Sequence, residues 1–298
     1  MGAYDAAGVS IAKSEAVVQR LREAVESTGT TGFGVFAGLY ALDDRRLLAA
    51  STDSVGTKLI VARERGRLRV CGADLAAHCI NDVITTGADP LFLLDYVAAN
   101  VIDAEQVAEL VEGAAEVCRA ARCMLLGGET AELPGIYRDD ELDFAGTCVG
   151  VVDRDRVVDG SRVEEGDLVL GLPSAGIHAN GFTLVRRLLE HDDYDGEDLL
   201  APTRLYLEDV RELRGRTDVR AFAHVTGGGI TGNLSRVLPN EVEAEIEWES
   251  WHRPPVFDWL ARHVEEEELR RVFNLGIGYL AVVPPETAGL VIGRIVSA

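Results

Sequence analysis

The stretch Thr52-Asp53-Ser54-Val55-Gly56-Thr57-Lys58 ends an apolar run in a carboxylate, then gives a glycine turn, a hydroxyl and an ammonium. That order suits a metal-complexed phosphate. The carboxylate takes Mg²⁺, turn N–H groups meet phosphate oxygens, and the lysine offsets charge. A plain strand-to-loop transition ending in a surface lysine reads the same way, so these residues alone leave both readings open. Three further carboxylates, Asp82 (beside Asn81), Glu129 and Glu132, fall at element ends or next to glycine-rich turns. Mg²⁺ is normally held by one or two carboxylates together with substrate phosphates, so the coincidence favours a metal–nucleotide site. Helix capping by Asp53 or Asp82 and simple solvation of Glu132 are the structural alternatives. In the second half, His178 and His224 each adjoin a small-residue turn. Imidazole transfers protons near neutral pH, and a buried structural histidine is the competing reading for each.

The elements that must carry these groups alternate. Residues 14–26 have helical periodicity, and the Thr28–Gly34 segment is a glycine and threonine loop. Residues 35–42 and 47–52 read as strands, 73–86 as a helix stopping at Gly87, 91–99 as a strand and 104–121 as a helix. His78 and Asp82, four apart, share a helix face, with His78 read as a packed or solvent-facing residue. A short strand at 123–126 enters Gly127-Gly128-Glu129, read as a glycine turn, and 142–152 is a further strand. The polar stretch 153–167 has no periodicity and separates an N-terminal domain, 1–158, from a C-terminal domain, 159–298. The latter opens with a strand at 168–172, a small-residue turn and a helix at 182–190, a geometry that can hold an anion at the helix start. Strands alternating with helices make the chain α/β or α+β.

A net charge of −21 argues against nucleic acid as a partner and requires any phosphate site to be built locally. Lys13 and Lys58 are the only lysines. The five cysteines form no CxxC pair and read as buried thiols. No apolar run reaches the ~20 residues of a membrane span, and the N-terminus has no secretory pattern; a cytoplasmic protein is expected. P-loop, strand-coupled GxGxxG, kinase and GxSxG signatures are absent from the sequence.

Seven blocks occur in order: Thr52–Lys58, Asn81-Asp82 with Gly87-Ala88-Asp89-Pro90, Gly127-Gly128-Glu129-Thr130-Ala131-Glu132, Ser174–Gly181, Leu200-Ala201-Pro202-Thr203-Arg204, His224–Gly229 and Phe273–Gly278. With them the chain resembles the aminoimidazole ribonucleotide synthetases, or phosphoribosylformylglycinamidine cyclo-ligases, over nearly its whole length. The resemblance implies two domains, a homodimer with a central barrel of N-terminal-domain strands, and ATP- and Mg²⁺-dependent ring closure of formylglycinamidine ribonucleotide in purine biosynthesis. Carried over by residue, it implies Asp53 and Asp82 as metal ligands and Gly32, Phe33, Gly34, Asp53, Gly56, Thr57, Lys58, Asn81 and Asp82 around the nucleotide. Glu129, Ser174, His178, Asn180, Thr226, Gly227, Gly228 and Gly229 fall on the substrate side, with His178, His224 and Lys58 as candidate catalytic groups. Ser54 stands where the family usually has glycine, Arg22 where relatives can carry lysine, and the span between Val283 and Val291 lacks room for a helix. The alternatives are thiamine-monophosphate kinase or selenophosphate synthetase chemistry on the same scaffold, or a catalytically silent ATP-binding dimer.

Overall fold

The computed structural model describes residues 2–30 and 33–298. Five strands, β1 (Gly38–Ala41), β2 (Arg46–Ser54), β3 (Asp89–Ala99), β4 (Met124–Glu132) and β5 (Leu142–Asp153), form one sheet in the order β1-β2-β5-β3-β4. Every neighbouring pair is antiparallel except β3 with β4. A parallel pair needs a crossover, and α5 (Ala104–Ala121) supplies it. Asp103 starts that helix by accepting from the N–H groups of Glu105 and Gln106.

A second sheet, β7-β9-β6-β10-β8, is antiparallel throughout. Its strands are β6 (Leu168–Pro173), β7 (Ala221–His224), β8 (Val242–Ile246), β9 (Ile277–Val283) and β10 (Val291–Ser297). The interior strand β9 is buried along its whole length, which explains its unbroken apolar sequence. The helices α6 (Phe182–Leu189), α7 (Leu207–Arg216), α8 (Gly229–Leu234), α9 (Pro255–Leu260) and α10 (Glu266–Val272) accompany it. The chain is a two-domain mixed α/β protein, and the link from β9 to β10 carries no helix.

Between the sheets lies α4 (Leu68–Ile84), which follows the short α3 (Lys58–Glu64). Fourteen of its residues are buried, because it is covered on every side. Leu75 packs on Gly146 of β5, and α5 crosses so closely that a Cβ at Gly72 would fall 1.9 Å from Leu110 O. The remaining side meets the second sheet. The N-terminal α1 (Ala3–Ala6) docks on that second domain, the N–H groups of Ala3 and Tyr4 donating to Glu268, and α2 (Ile11–Glu26) follows it.

One local expectation is corrected. Gly127-Gly128-Glu129 is not a turn but part of β4. Gly128 lies opposite Asp95, and a Cβ there would sit 1.8 Å from Asp95 Oδ1, so the glycine answers to a cross-strand neighbour.

Candidate active site

Strand β2 delivers Asp53 to the face covered by α4, where His78 Nδ1 lies 3.2 Å from Asp53 Oδ2. One turn further along α4, Asp82 Oδ1 is 2.8 Å from His224 Nδ1 at the end of β7, and Asp82 Oδ2 accepts from Ser51 Oγ at 2.9 Å. The two imidazoles meet edge to face with centroids 5.0 Å apart. Asp53–His78 and His224–Asp82 thus form one chain of four side chains running from the first sheet, across α4, to the second. His78 and Asp82 share a helix face as expected, yet each pairs away from the other.

The electrostatics separate the two histidines. Burial disfavours the His78 imidazolium, but Asp53, backed by Asp74 and Asp82, lifts its pKa above the ordinary value. Burial dominates at His224 and depresses its pKa despite Asp82. At Asp53 burial acts upward, yet the hydrogen bond and charge of His78 and the N–H of Ser54 hold the carboxyl below its usual range. The Nε2 atoms of His78 and His224 are buried and have no hydrogen-bond partner among the described residues.

His178 joins the same neighbourhood from the turn between β6 and α6. It is fully buried with φ of 66°, and its Nε2 accepts, at 3.5 Å, from the Arg204 N–H. Burial first, and then repulsion from His78 and His224 in their protonated forms, push its pKa well down, which favours the neutral imidazole. Gly278 on β9 makes room for it: a Cβ there would lie 2.4 Å from His178 Cε1. Ser174 Oγ is bound to Gly176 O and Asn274 Oδ1, and Asn274 Nδ2 donates to Gly176 O and Ile177 O, fixing the turn's shape. Asn180 faces Gly227, its Oδ1 3.8 Å from where a Cβ would stand, while its Nδ2 is buried without a partner. Asn233 grips the neighbouring turn, its Nδ2 donating to the carbonyls of Thr226, Gly227 and Gly229, and its Oδ1 accepting from Thr226 Oγ1. Gly228 and Gly229 have φ of 102° and 65° there.

Several expected site residues have other immediate contacts. Lys58 has 0% side-chain exposure and lies 2.7 Å from Asp74 Oδ2, also fully buried, while donating to Ala201 O at 3.0 Å. The expectation of a direct phosphate contact is therefore revised in this structure: the ammonium ties α3 to α4 and to the Leu200–Arg204 segment. Asn81 is likewise enclosed, donating to Arg204 O and accepting from the Tyr206 N–H. Glu129 is exposed on the edge strand β4 and points to the opposite face from Asp53, because Gly128, its neighbour, shares Asp53's face. Thr57 Oγ1 meets Thr183 Oγ1 at 3.0 Å, and Gly56 has the left-handed φ of 68°. Ser54 is an extended residue within β2, so its side chain meets no backbone penalty. Gly34 has φ of 107°, Phe33 lies under the Arg22 guanidinium at 5.7 Å, and Gly32 lies outside the described residues. His78 is packed, one of the two readings given to it, and its Nδ1 pairs with Asp53 rather than with Asp82 on its own helix. The partner of Lys58, Asp74, lies sixteen residues along the chain and carried no local signal.

Family models for AIR synthase related proteins match both halves, the N-terminal domain model at residues 34–152 and the C-terminal domain model at 164–292. A phosphoribosylformylglycinamidine cyclo-ligase from a Synechococcus strain is 45% identical over 97% of this chain and 90% of its own length. The chain belongs to the phosphoribosylformylglycinamidine cyclo-ligase family. The cyclo-ligase of Anaeromyxobacter dehalogenans is 46% identical over 95% of this chain and 88% of its own length. Thiamine monophosphate kinase from Aquifex aeolicus has the same fold at 17% identity, with a TM-score of 0.68 over 97% of this chain and 96% of its own. The cyclo-ligase family thus accounts for the ordered motifs, and the kinase likeness is one of fold.

Proposed function

We propose that this chain is an ATP-dependent ligase that closes formylglycinamidine ribonucleotide to 5-aminoimidazole ribonucleotide, releasing ADP and phosphate. Membership of the cyclo-ligase family supports the reaction, and the observation that carries the site is the Asp53–His78–His224–Asp82 chain beside two glycine turns. The formyl amide oxygen of the substrate attacks the γ-phosphorus and ADP leaves, which turns that oxygen into a leaving group. The neighbouring nitrogen then attacks the activated carbon, a proton is shed, and phosphate departs. Most of the catalytic work is positioning and charge stabilisation.

Asp53 and Asp82 are hard oxygen donors in the number that Mg²⁺ uses beside phosphates, and Asp53, with 35% side-chain exposure, is the more accessible. The residues fit the ion, whose contribution when bound is to offset charge on the phosphoryl oxygens. Asp82 holds His224 through Nδ1, which leaves the Nε2 lone pair of a neutral imidazole as the acceptor for the shed proton. His178, neutral and unpartnered at Nδ1, hydrogen-bonds the substrate beside Asn180, Ser174 and the Thr226–Gly229 turn. Phe33 and Gly34, with Gly56 and Thr57, lie against the nucleotide. Lys58 and Asn81 serve this site by fixing α3 and α4.

The working unit in this reading is a homodimer of two-domain chains, divided at 158/159, in the cytoplasm. The outer face of the first sheet supports it: Tyr40, Leu94 and Met124 are exposed there, at 71%, 39% and 62%, on a face that no helix covers among the described residues. Glu129 shares that face, three strands from β2 and so roughly 14 Å away at ~4.8 Å per strand. It reaches substrate only in the second copy's site. The testing experiment is ADP release from purified protein given ATP, Mg²⁺ and formylglycinamidine ribonucleotide, with substrate omission as control.

A further inference from the structure

Arg236 follows α8 in the second domain, yet two of the three hydrogen bonds its side chain donates reach into the first. Its Nε donates to Gly34 O at 3.1 Å and its NH2 nitrogen to Val35 O at 3.0 Å, so one planar fork holds two successive carbonyls. Its guanidinium carbon stands 3.9 Å over the ring of Phe36, which is buried beneath it. The third nitrogen reaches Asn233 Oδ1 at 3.4 Å, and Asn233 is the residue that grips the Thr226–Gly229 turn. One exposed arginine with no ion-pair partner among the described residues therefore ties the glycine turn of the second domain to the Gly34–Phe36 segment of the first. Val35, Phe36 and Ala37 form one wall of an apolar cavity of about 280 Å³ between the domains, and Val237, next to Arg236, stands on another.

We propose that Arg236 is a positioning residue that sets the Gly34–Phe36 segment against the Thr226–Gly229 turn and so preorganises the nucleotide side of the site. The proposal rests on the reading that this segment lies against ATP. A fork is needed because two adjacent carbonyls must be fixed together; a lysine ammonium reaches either one as a point charge without setting their plane. Loss of the fork leaves the segment to be ordered at the expense of binding, which appears as weaker apparent nucleotide affinity.

The test compares wild type with Arg236→Ala and Arg236→Lys by hydrogen exchange in the free protein, by melting temperature, and by KM and kcat for MgATP and for formylglycinamidine ribonucleotide. The expected result for Arg236→Ala is faster exchange at residues 33–37 and a roughly tenfold rise in KM for MgATP. Its melting temperature and its KM for the ribonucleotide stay near wild type, and Arg236→Lys recovers little of the loss. Unchanged exchange and unchanged KM for MgATP overturn the proposal. So does a loss of kcat that merely follows a lowered melting temperature, and so does a lysine variant that equals wild type. Absence of any ATP turnover in the wild type refutes the functional reading instead, while the exchange measurement still decides whether Arg236 holds the segment.

Discussion

Asp82 and His224 meet across the two sheets at 2.8 Å, one from the middle helix of the first domain and one from the end of a strand of the second. Because Asp82 also accepts from Ser51, its two oxygens connect β2, α4 and β7 at one point. Asp82→Asn keeps the size and removes the charge. The expected outcome is a fall in kcat of about 10²–10³-fold, comparable to losing a preorganised electrostatic group, with the oligomeric state by sedimentation the same as that of the wild type. Near-normal turnover removes Asp82 from the metal and base assignments.

Lys58 and Asp74 are a buried pair, so removing one partner strands the other charge. Lys58→Met is expected to cost about 3–5 kcal/mol in denaturant unfolding, and adding Asp74→Leu to recover part of it. A Lys58→Met protein that unfolds like wild type yet fails to turn over restores the direct phosphate role expected from the sequence.

Burial holds His178 and His224 neutral, with folded pKa values below the ordinary 6.5. The unfolded chain therefore takes up protons at these positions first as pH falls, and stability declines from about pH 6.5 downward, by at most about 1.4 kcal/mol per pH unit for each group. His78 works in the other direction, because its raised pKa adds stability that is present at low pH and lost as pH rises. Melting temperature is expected to drop between pH 7 and pH 5, and His178→Gln to flatten that drop. A profile unchanged by the substitution contradicts the assignment.

The exposed outer face of the first sheet is expected to be covered by a second copy. Leu94→Glu introduces a charge at its centre and is expected to give a monomer by sedimentation that no longer turns over. A wild-type monomer with full activity contradicts both the dimer and the role of Glu129 across it.

Legibility in the sequence followed the range of the interactions. The α5 bounds of 104 and 121 were readable because the apolar spacing and the Asp103 cap are local. Asp53, Asp82, His178 and His224 stood out as candidates because each lies near the end of an element beside a small-residue turn. What escaped depends on partners distant in sequence. Gly128 looked like a turn residue because Asp95, which forbids its Cβ, lies on another strand. Lys58 read as a phosphate contact because Asp74 and Ala201 surround it only after folding. Arg236 had no signal at all, since the carbonyls it holds are some two hundred residues away.

The central claim is a substrate-specific, ATP-consuming ring closure. Its most direct test is ADP release by the purified protein with Mg²⁺ and either formylglycinamidine ribonucleotide or thiamine monophosphate. The expected result is stoichiometric release of ADP and aminoimidazole ribonucleotide with the former and none with the latter. ADP release that depends on thiamine monophosphate, or intact ATP binding without turnover on either compound, contradicts it.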